Sequence, residues 1–293
     1  MVQYATRSMP GTLFVVATPI GNLEDITARA LGVLREVAVI AAEDTRRTAR
    51  LLARYAITTP TTSLHEHNEG QKSSALIARL ERGDAVALVS DAGTPTISDP
   101  GQQLIRQSIE AGIPVEPIPG PSALLAALSV SGMPCDTFSF FGFPPTRSKA
   151  RKEWFDRLLM VGGTVIFFEA PHRIRETLAH LQRLAGNCPV VLCREMTKTH
   201  QELVRGPISD AIKRLSASRG EFTVVASIGH KTELPVIAPP SDAELASEFG
   251  ETTKYGGLSR RQAVNALARR HDMPPNEVYR AIERAKKLVN RQK

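Results

Sequence analysis

Short apolar segments alternate with amphipathic segments along the first half of the chain. Residues 12–17 (TLFVVA), 37–42 and 85–89 are apolar and contain many β-branched side chains, which is typical of buried strands. Residues 26–37 place apolar side chains at helical spacing, and residues 102–111 form a second such helix. Strands connected by helices form parallel sheets. The pattern therefore predicts a parallel-sheet α/β domain over residues 11–124.

Further strand-like segments follow in the second half of the chain. Five strands are predicted over residues 137–141, 163–168, 190–193, 201–205 and 222–228. Residues 201–229 are expected to be partly antiparallel. A second α/β domain with a mixed sheet is therefore predicted over residues 125–230.

The two ends of the chain differ from this pattern. Residues 1–10 are expected to form an N-terminal tail, and residues 231–241 hold three prolines and are typical of a linker. Residues 242–293 are predicted to form a small module of three helices. Glu244 to Lys293 hold eleven Lys or Arg against six Asp or Glu. A basic, helix-turn-helix-like module that contacts nucleic acid is one interpretation, and a basic dimerisation appendage is the other.

Three compact loops follow predicted strands and are the candidate ligand site. They are Thr18 to Asn22, Ser90 to Pro95, and Pro119 to Ala123. Such loops lie at the carboxyl ends of parallel strands, where ligands bind, and small residues let a ligand approach backbone amides. The alternative is a set of tight connections without a ligand. Ser98, Asp99 and Pro100 are interpreted as a helix start.

Charged side chains also follow predicted strands. The segment EDTRRT from Glu43 comes directly after the second strand, where Asp44 can also cap a helix. His65 and His67 flank Glu66, but no third ligand with suitable spacing follows, so a metal site is not favoured. A basic cluster begins at Arg147 (RSKARK); it would either track phosphates or simply be a solvated helix face.

Overall composition limits the classes of protein that the chain can belong to. The 293 residues carry a net charge of +7, which favours a polyanionic partner. No apolar run approaches the length of a membrane span and no signal-peptide core is present, so a cytoplasmic location is expected. Cys135, Cys188 and Cys193 match neither a disulfide set nor a zinc site. No GxGxxG or P-loop pattern occurs, which argues against a dinucleotide-binding domain and a nucleoside triphosphatase.

Five blocks, taken in order, resemble the tetrapyrrole methylase superfamily of S-adenosylmethionine-dependent enzymes. They are VATPIGN at Val16, LVSDAGTPTISDPG at Leu88, PGPSA at Pro119, FFEAPHR at Phe167 and REMTKTHQE at Arg194. AEDTRRT at Ala42, HEHNE at His65 and the basic C-terminal segment are similar to the branch that methylates small-subunit ribosomal RNA. That branch acts on the ribose 2′-hydroxyl of a decoding-centre cytidine of 16S rRNA.

The resemblance implies a two-domain tetrapyrrole-methylase-like fold, usually in a homodimer, with S-adenosylmethionine bound between the domains. The donor contacts that it implies are Pro19, Ala92, Gly93, Thr94, Ile97, Ser122, Ala123, Glu169 and Met196. Small-molecule relatives commonly carry an acid where this chain has Thr94. Backbone contacts to the donor are therefore better supported there than side-chain contacts.

The chemistry needs an aligned methyl donor and a base, and no metal. A ribose hydroxyl is a weak acid, so a positioned base would accelerate its attack on the methyl group. The candidates are Glu43, Asp44, His65, Asp91 and Lys198, and the sequence does not rank them. The candidate contacts to the RNA backbone are Arg46, Arg47, Arg147, Lys149, Arg151 and Lys152. The expected substrate is 16S rRNA, within the 30S subunit.

Two other functions remain open. One is methylation of a tetrapyrrole ring carbon, although a small ring needs no extended cationic surface. The other is a nucleic-acid-binding regulator that retains an inactive methylase-like module. Such a regulator is expected to bind duplex DNA selectively.

Overall fold

The computed structural model of the chain describes residues 11–215, 220–229, 241–254, 259–271 and 273–290. The predicted tail (1–10) and nearly all of the predicted linker (231–241) lie outside these ranges. The chain divides into two compact units, Met1–His230 and Lys231–Lys293. Among the described residues, no helix combines the length and apolarity that crossing a bilayer requires.

The first sheet is fully parallel, as predicted. Its strands lie in the order β3-β2-β4-β1-β5, with β4 at the centre. The elements of this half are β1 (Leu13–Val16), α1 (Ala28–Glu36), β2 (Val39–Ala42), α2 (Thr45–Arg54), β3 (Thr61–Ser63), α3 (Glu69–Glu81), β4 (Val86–Val89), α4 (Gln102–Glu110), β5 (Val115–Ile118) and α5 (Ala123–Ser131). A short 3₁₀ helix, Leu23–Asp25, precedes α1.

Alternation along the strands supplies an apolar core on each face of this sheet. Phe14 and Val16 pack with the side chains of α1 and α2 on one face, whereas Leu13 packs with those of α3 and α4 on the other. All four residues of β2 and of β4 are buried. Burial on both faces explains why these strands are continuous apolar runs.

The second sheet is mixed, which confirms the fold class. Its order is β6-β7-β10-β8-β9; only the pair β6–β7 is parallel, and the other three pairs are antiparallel. The elements are β6 (Phe138–Phe140), α6 (Ser148–Val161), β7 (Gly163–Glu169), α7 (Ile174–Ala185), β8 (Pro189–Arg194), β9 (Glu202–Pro207), α8 (Ile208–Arg214) and β10 (Phe222–Ile228).

Helix α5 connects the two sheets. Its buried residues Ala127 and Leu128 pack against Ile166 of β7 and Val191 of β8, so the helix covers the second sheet. The predicted boundary between residues 124 and 125 falls inside this helix. We propose instead that the second domain begins at Ser122, which caps α5.

The C-terminal unit consists of α9 (Asp242–Lys254), α10 (Arg260–Arg270) and α11 (Pro275–Asn290). Leu245, Leu267, Val278 and Ile282 form its core. Two contacts join its helices: an ion pair of Arg284 with Asp242 at 2.7 Å, and a hydrogen-bond distance of 3.0 Å between His271 Nε2 and Glu248 Oε2.

The helix predicted over residues 102–111 is confirmed as α4, but the start signal assigned to Ser98, Asp99 and Pro100 does not cap it. Helix α4 begins at Gln102, and its N-cap residue Gly101 has a positive φ of 118°. The carboxylate of Glu69 accepts hydrogen bonds from the backbone amides of Gly101, Gln103 and Leu104, at 3.1, 2.7 and 3.3 Å. A side chain from α3 therefore caps α4, which leaves Asp99 free for another role.

Candidate active site

The first two compact loops are joined by a pair of backbone hydrogen bonds. The Thr18 amide donates to the Gly93 carbonyl at 2.8 Å, and the Gly93 amide donates to the Thr18 carbonyl at 2.9 Å. The Thr18 hydroxyl also donates to the Ser90 carbonyl at 3.1 Å. Gly93 has a φ of 84°, a conformation that residues with a Cβ atom rarely adopt. The ends of β1 and β4 are therefore fixed relative to each other.

The third loop is tied to the same place. The Thr94 hydroxyl donates to the Pro121 carbonyl at 3.3 Å, and the Ser122 hydroxyl accepts from the Leu125 amide at the start of α5. The Thr94 side chain is thus engaged with the protein itself. The donor contact expected of Thr94 through its backbone stays a prediction.

A loop of the second half, after β8, completes the site. The Asn22 amide donates to the Thr197 hydroxyl at 2.9 Å. A Cβ atom at Gly21 would lie 2.6 Å from Lys198 Cγ and 2.8 Å from the Met196 carbonyl oxygen. Glu195 and Thr197 both have positive φ, at 49° and 65°. Only glycine fits at position 21, because the two halves meet there.

A cavity of about 250 Å³ lies between these loops. Seven of the nine predicted donor contacts line it: Ala92, Gly93, Thr94, Ile97, Ser122, Ala123 and Met196. Ile20, Phe168 and Phe222 add apolar surface, and Glu43, Asp91 and Asp99 add carboxylates. Apolar walls suit an adenine ring and carboxylates suit a sulfonium cation, so the residues present fit S-adenosylmethionine.

Pro19 is buried but is not among the lining residues, and Glu169 points away from the cavity. Phe168 and Glu169 are neighbours in β7, so their side chains face opposite sides of the sheet. The Glu169 carboxylate, fully buried, accepts hydrogen bonds from the Ala170 amide and the Thr177 hydroxyl and lies 3.4 Å from Arg173 Nε. It belongs to the core of the second domain.

Three carboxylates of the cavity, those of Glu43, Asp91 and Asp99, form a cluster with Arg47 at its edge. The Asp91 amide donates to Glu43 Oε2 at 3.3 Å, while Asp91 Oδ1 accepts from the Asp44 amide at 2.9 Å. Arg47 Nη1 lies 3.3 Å from Asp91 Oδ2. Burial raises the pKa of Glu43, and the negative charge of Asp91 adds to the effect.

Asp99 is the residue that sequence reasoning missed. Burial raises its pKa to about 7, with the negative charge of Glu43 next in importance, although a hydrogen bond from Ser90 opposes the shift. Its pattern in the sequence, Ser-Asp-Pro, was indistinguishable from a helix start. The available signal was the central loop itself, since Asp99 lies only six residues beyond Gly93.

Of the remaining catalytic candidates, one lines the cavity and two do not. Lys198 lines the cavity and donates to Glu195 Oε1 at 2.9 Å. Asp44 caps α2, and its hydrogen bonds from Arg46 hold the pKa of this carboxyl well below its usual range. His65 Nε2 lies 3.0 Å from Nδ2 of the Asn68 side chain. Neither Asp44 nor His65 lines the cavity.

The six basic candidates for RNA contact fall into two groups. The exposed group is Arg46, Arg47, Arg147, Lys149 and Lys152; Arg47 also lines the cavity, Arg46 pairs with Asp44, and Lys152 pairs with Asp156. Arg151 is buried, and its Nη2 donates to the Thr177 hydroxyl at 2.7 Å. Since Thr177 also bonds Glu169, these two predicted site residues share one buried network between α6, β7 and α7.

Two other observations limit the chemistry of the described residues. Burial raises the pKa of the Cys193 thiol, which lines the cavity, to about 11, so it stays protonated and is a poor nucleophile at neutral pH. No group of three or more His, Cys, Asp or Glu is arranged to hold a metal ion in the parts of the chain that the structure covers.

The chain is similar to known proteins in sequence and in fold. The sequence model of the tetrapyrrole (corrin/porphyrin) methylases matches residues 12–212. Ribosomal RNA small subunit methyltransferase I of Halalkalibacterium halodurans is 41% identical over 283 residues, which cover 94% of this chain and 96% of that protein. The protein of the same name from Vibrio cholerae is 53% identical over 201 residues, or 68% of this chain and 70% of that protein.

Solved structures share the fold at lower sequence identity. Uroporphyrin-III C-methyltransferase from Thermus thermophilus in complex with S-adenosylhomocysteine has a TM-score of 0.53 and 16% identity, over 74% of this chain and 98% of that one. A diphthine synthase has a TM-score of 0.58 and 14% identity, over 74% and 90% of the two chains. The chain therefore belongs to the tetrapyrrole methylase family, in the group of the ribosomal RNA small subunit methyltransferase I proteins.

Proposed function

We propose that this protein is an S-adenosylmethionine-dependent methyltransferase that methylates the ribose 2′-hydroxyl of a decoding-centre cytidine in 16S rRNA. The observation that carries the proposal is the cavity between the two sheets, in which Asp99 and Glu43 face the same space as the donor loops. The names and full-length coverage of the relatives support rRNA as the substrate. A cytoplasmic enzyme that acts on the 30S subunit as a homodimer is part of the proposal.

The methyl donor would lie against the loops at Gly93, Ser122 and Met196. When bound, S-adenosylmethionine supplies an electrophilic methyl group on a positively charged sulfur. The backbone around Gly93 offers close approach, and Ile20 and Met196 exclude water from one side of the cavity. Contacts from loops of both sheets would fix the orientation of the donor. An in-line displacement needs the methyl group to be aligned in this way.

Asp99 is the proposed proton acceptor. As the ribose oxygen bonds to the methyl carbon and the carbon–sulfur bond breaks, the hydroxyl proton would pass to the Asp99 carboxylate. A carboxyl group with a pKa of about 7 is a stronger base than an ordinary aspartate and is still ionised in about half of the molecules at neutral pH. Burial and, after it, the negative charge of Glu43 keep the pKa of Asp99 high, and Arg47 orients Asp91 at the cavity edge.

The RNA backbone would meet the basic residues around the cavity. Arg47 lies at the edge of the cavity, and Arg147, Lys149 and Lys152 are exposed around the start of α6. Arg151 does not belong to this RNA-contacting group, because its guanidinium is enclosed by protein. The basic C-terminal unit would add further phosphate contacts, and we expect RNA affinity to fall steeply with salt.

Methyl-transfer assays test the substrate. Labelled methyl donor is offered with 30S subunits that lack the modification, with free 16S rRNA, and with uroporphyrinogen III. Label on the ribose of one cytidine is expected. Label only in the porphyrinoid would support methylation of a tetrapyrrole carbon instead, and selective binding of duplex DNA without any transfer would support a regulator.

The donor pocket is tested by calorimetry on Gly93→Val. A side chain at this position occupies the approach to the loop and opposes the φ of 84°, so loss of donor binding is expected. Gly112→Val is the matched control, because Gly112 has a φ of 69° but no atom within 4 Å of its Cβ position. Unchanged donor affinity in Gly93→Val would overturn the placement of the pocket.

A further inference from the structure

The C-terminal unit contains a groove of about 490 Å³ that the methyl-transfer chemistry does not use. It lies between the start of α10 and one side of α11. Its floor includes Ile282, which is 1% exposed, and Phe249, which is 8% exposed. The ring of Tyr279 stands at its edge and is 57% exposed. A large aromatic ring left this open to water, above an apolar floor, is typical of a surface that takes up a flat partner.

Two cations line the same groove as Tyr279. Arg260 and Arg261 are the first two residues of α10, are exposed, and line the groove. Within the described ranges neither guanidinium forms an ion pair, so both can reach an anion. They also lie at a helix N-terminus, where the partial positive charge of the helix favours phosphate. Glu283 lines the groove as well.

The amide side chains of the groove indicate which flat, anionic partner it suits. Asn265 and Asn276 are exposed on its walls and present both donors and acceptors. An aromatic face, neighbouring guanidinium groups and amides together are the means by which proteins hold an unstacked base and its phosphate. A groove for a protein helix would be expected to be more apolar and to lack paired arginines at one end.

We propose that this groove binds one unpaired nucleotide of the RNA substrate. The base stacks on Tyr279, and a flanking phosphate lies between Arg260 and Arg261. The inference rests on the proposed function only in taking RNA as the substrate. It gives the C-terminal unit a single-strand-binding role in place of the duplex groove-binding that a helix-turn-helix would imply.

Binding of the full-length protein to a labelled single-stranded RNA and to 30S subunits tests the stacking. Tyr279→Ala is expected to weaken both affinities by roughly 5- to 150-fold. Tyr279→Phe should bind as the unchanged protein does, because stacking needs the ring and not the hydroxyl. Equal affinity of Tyr279→Ala and the unchanged protein for both ligands would overturn the proposal. Weaker binding of 30S subunits alone would also overturn it, since that result indicates a ribosomal protein as the partner.

Arginine variants test the phosphate contact. Arg261→Ala should reduce the slope of log affinity against log salt for single-stranded RNA by about 0.7. Arg280→Ala is the matched control: it removes one positive charge from α11, but Arg280 is exposed and lines a different cavity, beside Asp242. A salt slope in Arg261→Ala equal to that of the unchanged protein would refute a phosphate at the start of α10.

Fluorescence supplies a readout that does not depend on affinity. In Tyr279→Trp, a stacked base should quench the new tryptophan when RNA is added. The protein has one other tryptophan, Trp154, which is 2% exposed and contributes a constant background. Absence of quenching at saturating RNA would refute the stacking. One outcome separates the two proposals: RNA quenches the tryptophan of Tyr279→Trp, but the unchanged protein transfers no methyl group to 30S subunits. In that case the proposed function fails and the groove assignment stands.

Discussion

Replacing Asp99 with asparagine separates the role of this side chain in catalysis from its role in stability. The carboxylate is enclosed at the carboxyl end of the first sheet beside Glu43, and its pKa is about 7 rather than 3.8. Asparagine has nearly the same shape but accepts no proton. If Asp99 takes the ribose proton, kcat in Asp99→Asn should fall by roughly a hundred- to ten-thousand-fold, the usual contribution of a general base.

The pH dependence gives the second part of the same prediction. With a pKa of about 7, roughly a tenth of the Asp99 carboxyl groups are ionised at pH 6 and roughly nine tenths at pH 8. The kcat of the unchanged protein should therefore rise about tenfold between these values and then level off. The residual activity of Asp99→Asn should lack this rise.

The free energy of unfolding should rise in Asp99→Asn at pH 8, although kcat falls. Because the folded-state pKa lies above the unfolded one, the folded protein binds the extra proton between about pH 4 and pH 7, and stability is lost as the pH rises through this window. The difference corresponds to at most roughly 4 kcal/mol at pH 8, and partial solvent exposure lowers it. Asp99→Asn should consequently unfold at a higher denaturant concentration than the unchanged protein at pH 8, with a smaller difference at pH 5.

Single-turnover methyl transfer to 30S subunits and urea unfolding measure the two effects. Asp136→Asn is the control, since Asp136 is exposed and does not line the cavity. A variant that keeps the kcat of the unchanged protein, or keeps its tenfold rise with pH, would refute Asp99 as the base. A variant that loses activity and also loses stability at pH 8 would show that the Asp99 side chain is needed for folding and would contradict its role as a base.

Three further substitutions test the contacts that build the site. Gly21→Ala should lower both donor affinity in calorimetry and the thermal midpoint, because its Cβ would collide with the loop after β8; Gly32→Ala, with no atom near its Cβ position, should not. Glu69→Gln should cost about 1 to 2 kcal/mol in urea unfolding through weaker capping of α4, and an unchanged midpoint would contradict that capping. Arg151→Ala should lower the unfolding midpoint without changing RNA affinity, whereas Lys149→Ala should do the reverse in a filter-binding assay; the opposite pattern would return Arg151 to the RNA surface.

The fold was predictable where burial determines the sequence pattern. β2 and β4 are buried on both faces, so their apolar runs identify a parallel sheet from the sequence alone. The pairing of β10 with β7 and β8 was not predictable in this way. Antiparallel order depends on which distant strands meet, and a pattern along one strand does not contain that information.

The site was predictable at the level of loops and less so at the level of side chains. Most of the predicted donor contacts line one cavity, because their place at strand ends follows from the topology. Glu169, a predicted donor contact, and Arg151, a predicted RNA contact, are both enclosed in the second domain, because the face of a strand and the packing of a helix decide where a charged side chain points. Asp99 was hidden by a local pattern that fits a helix start, and the capping by Glu69 from α3 that makes this start unnecessary is visible only in three dimensions.

The strand order of the first sheet has a consequence for synthesis of the protein on the ribosome. β1 pairs only with β4 and β5, so a nascent chain that ends before Val86 holds β1 without either of its partners. β2 and β3 can already pair in such a chain, but the central position of the sheet is empty. The apolar residues of β1 therefore remain exposed until β4 has been synthesised. We expect the nascent chain to need protection by a chaperone during this interval.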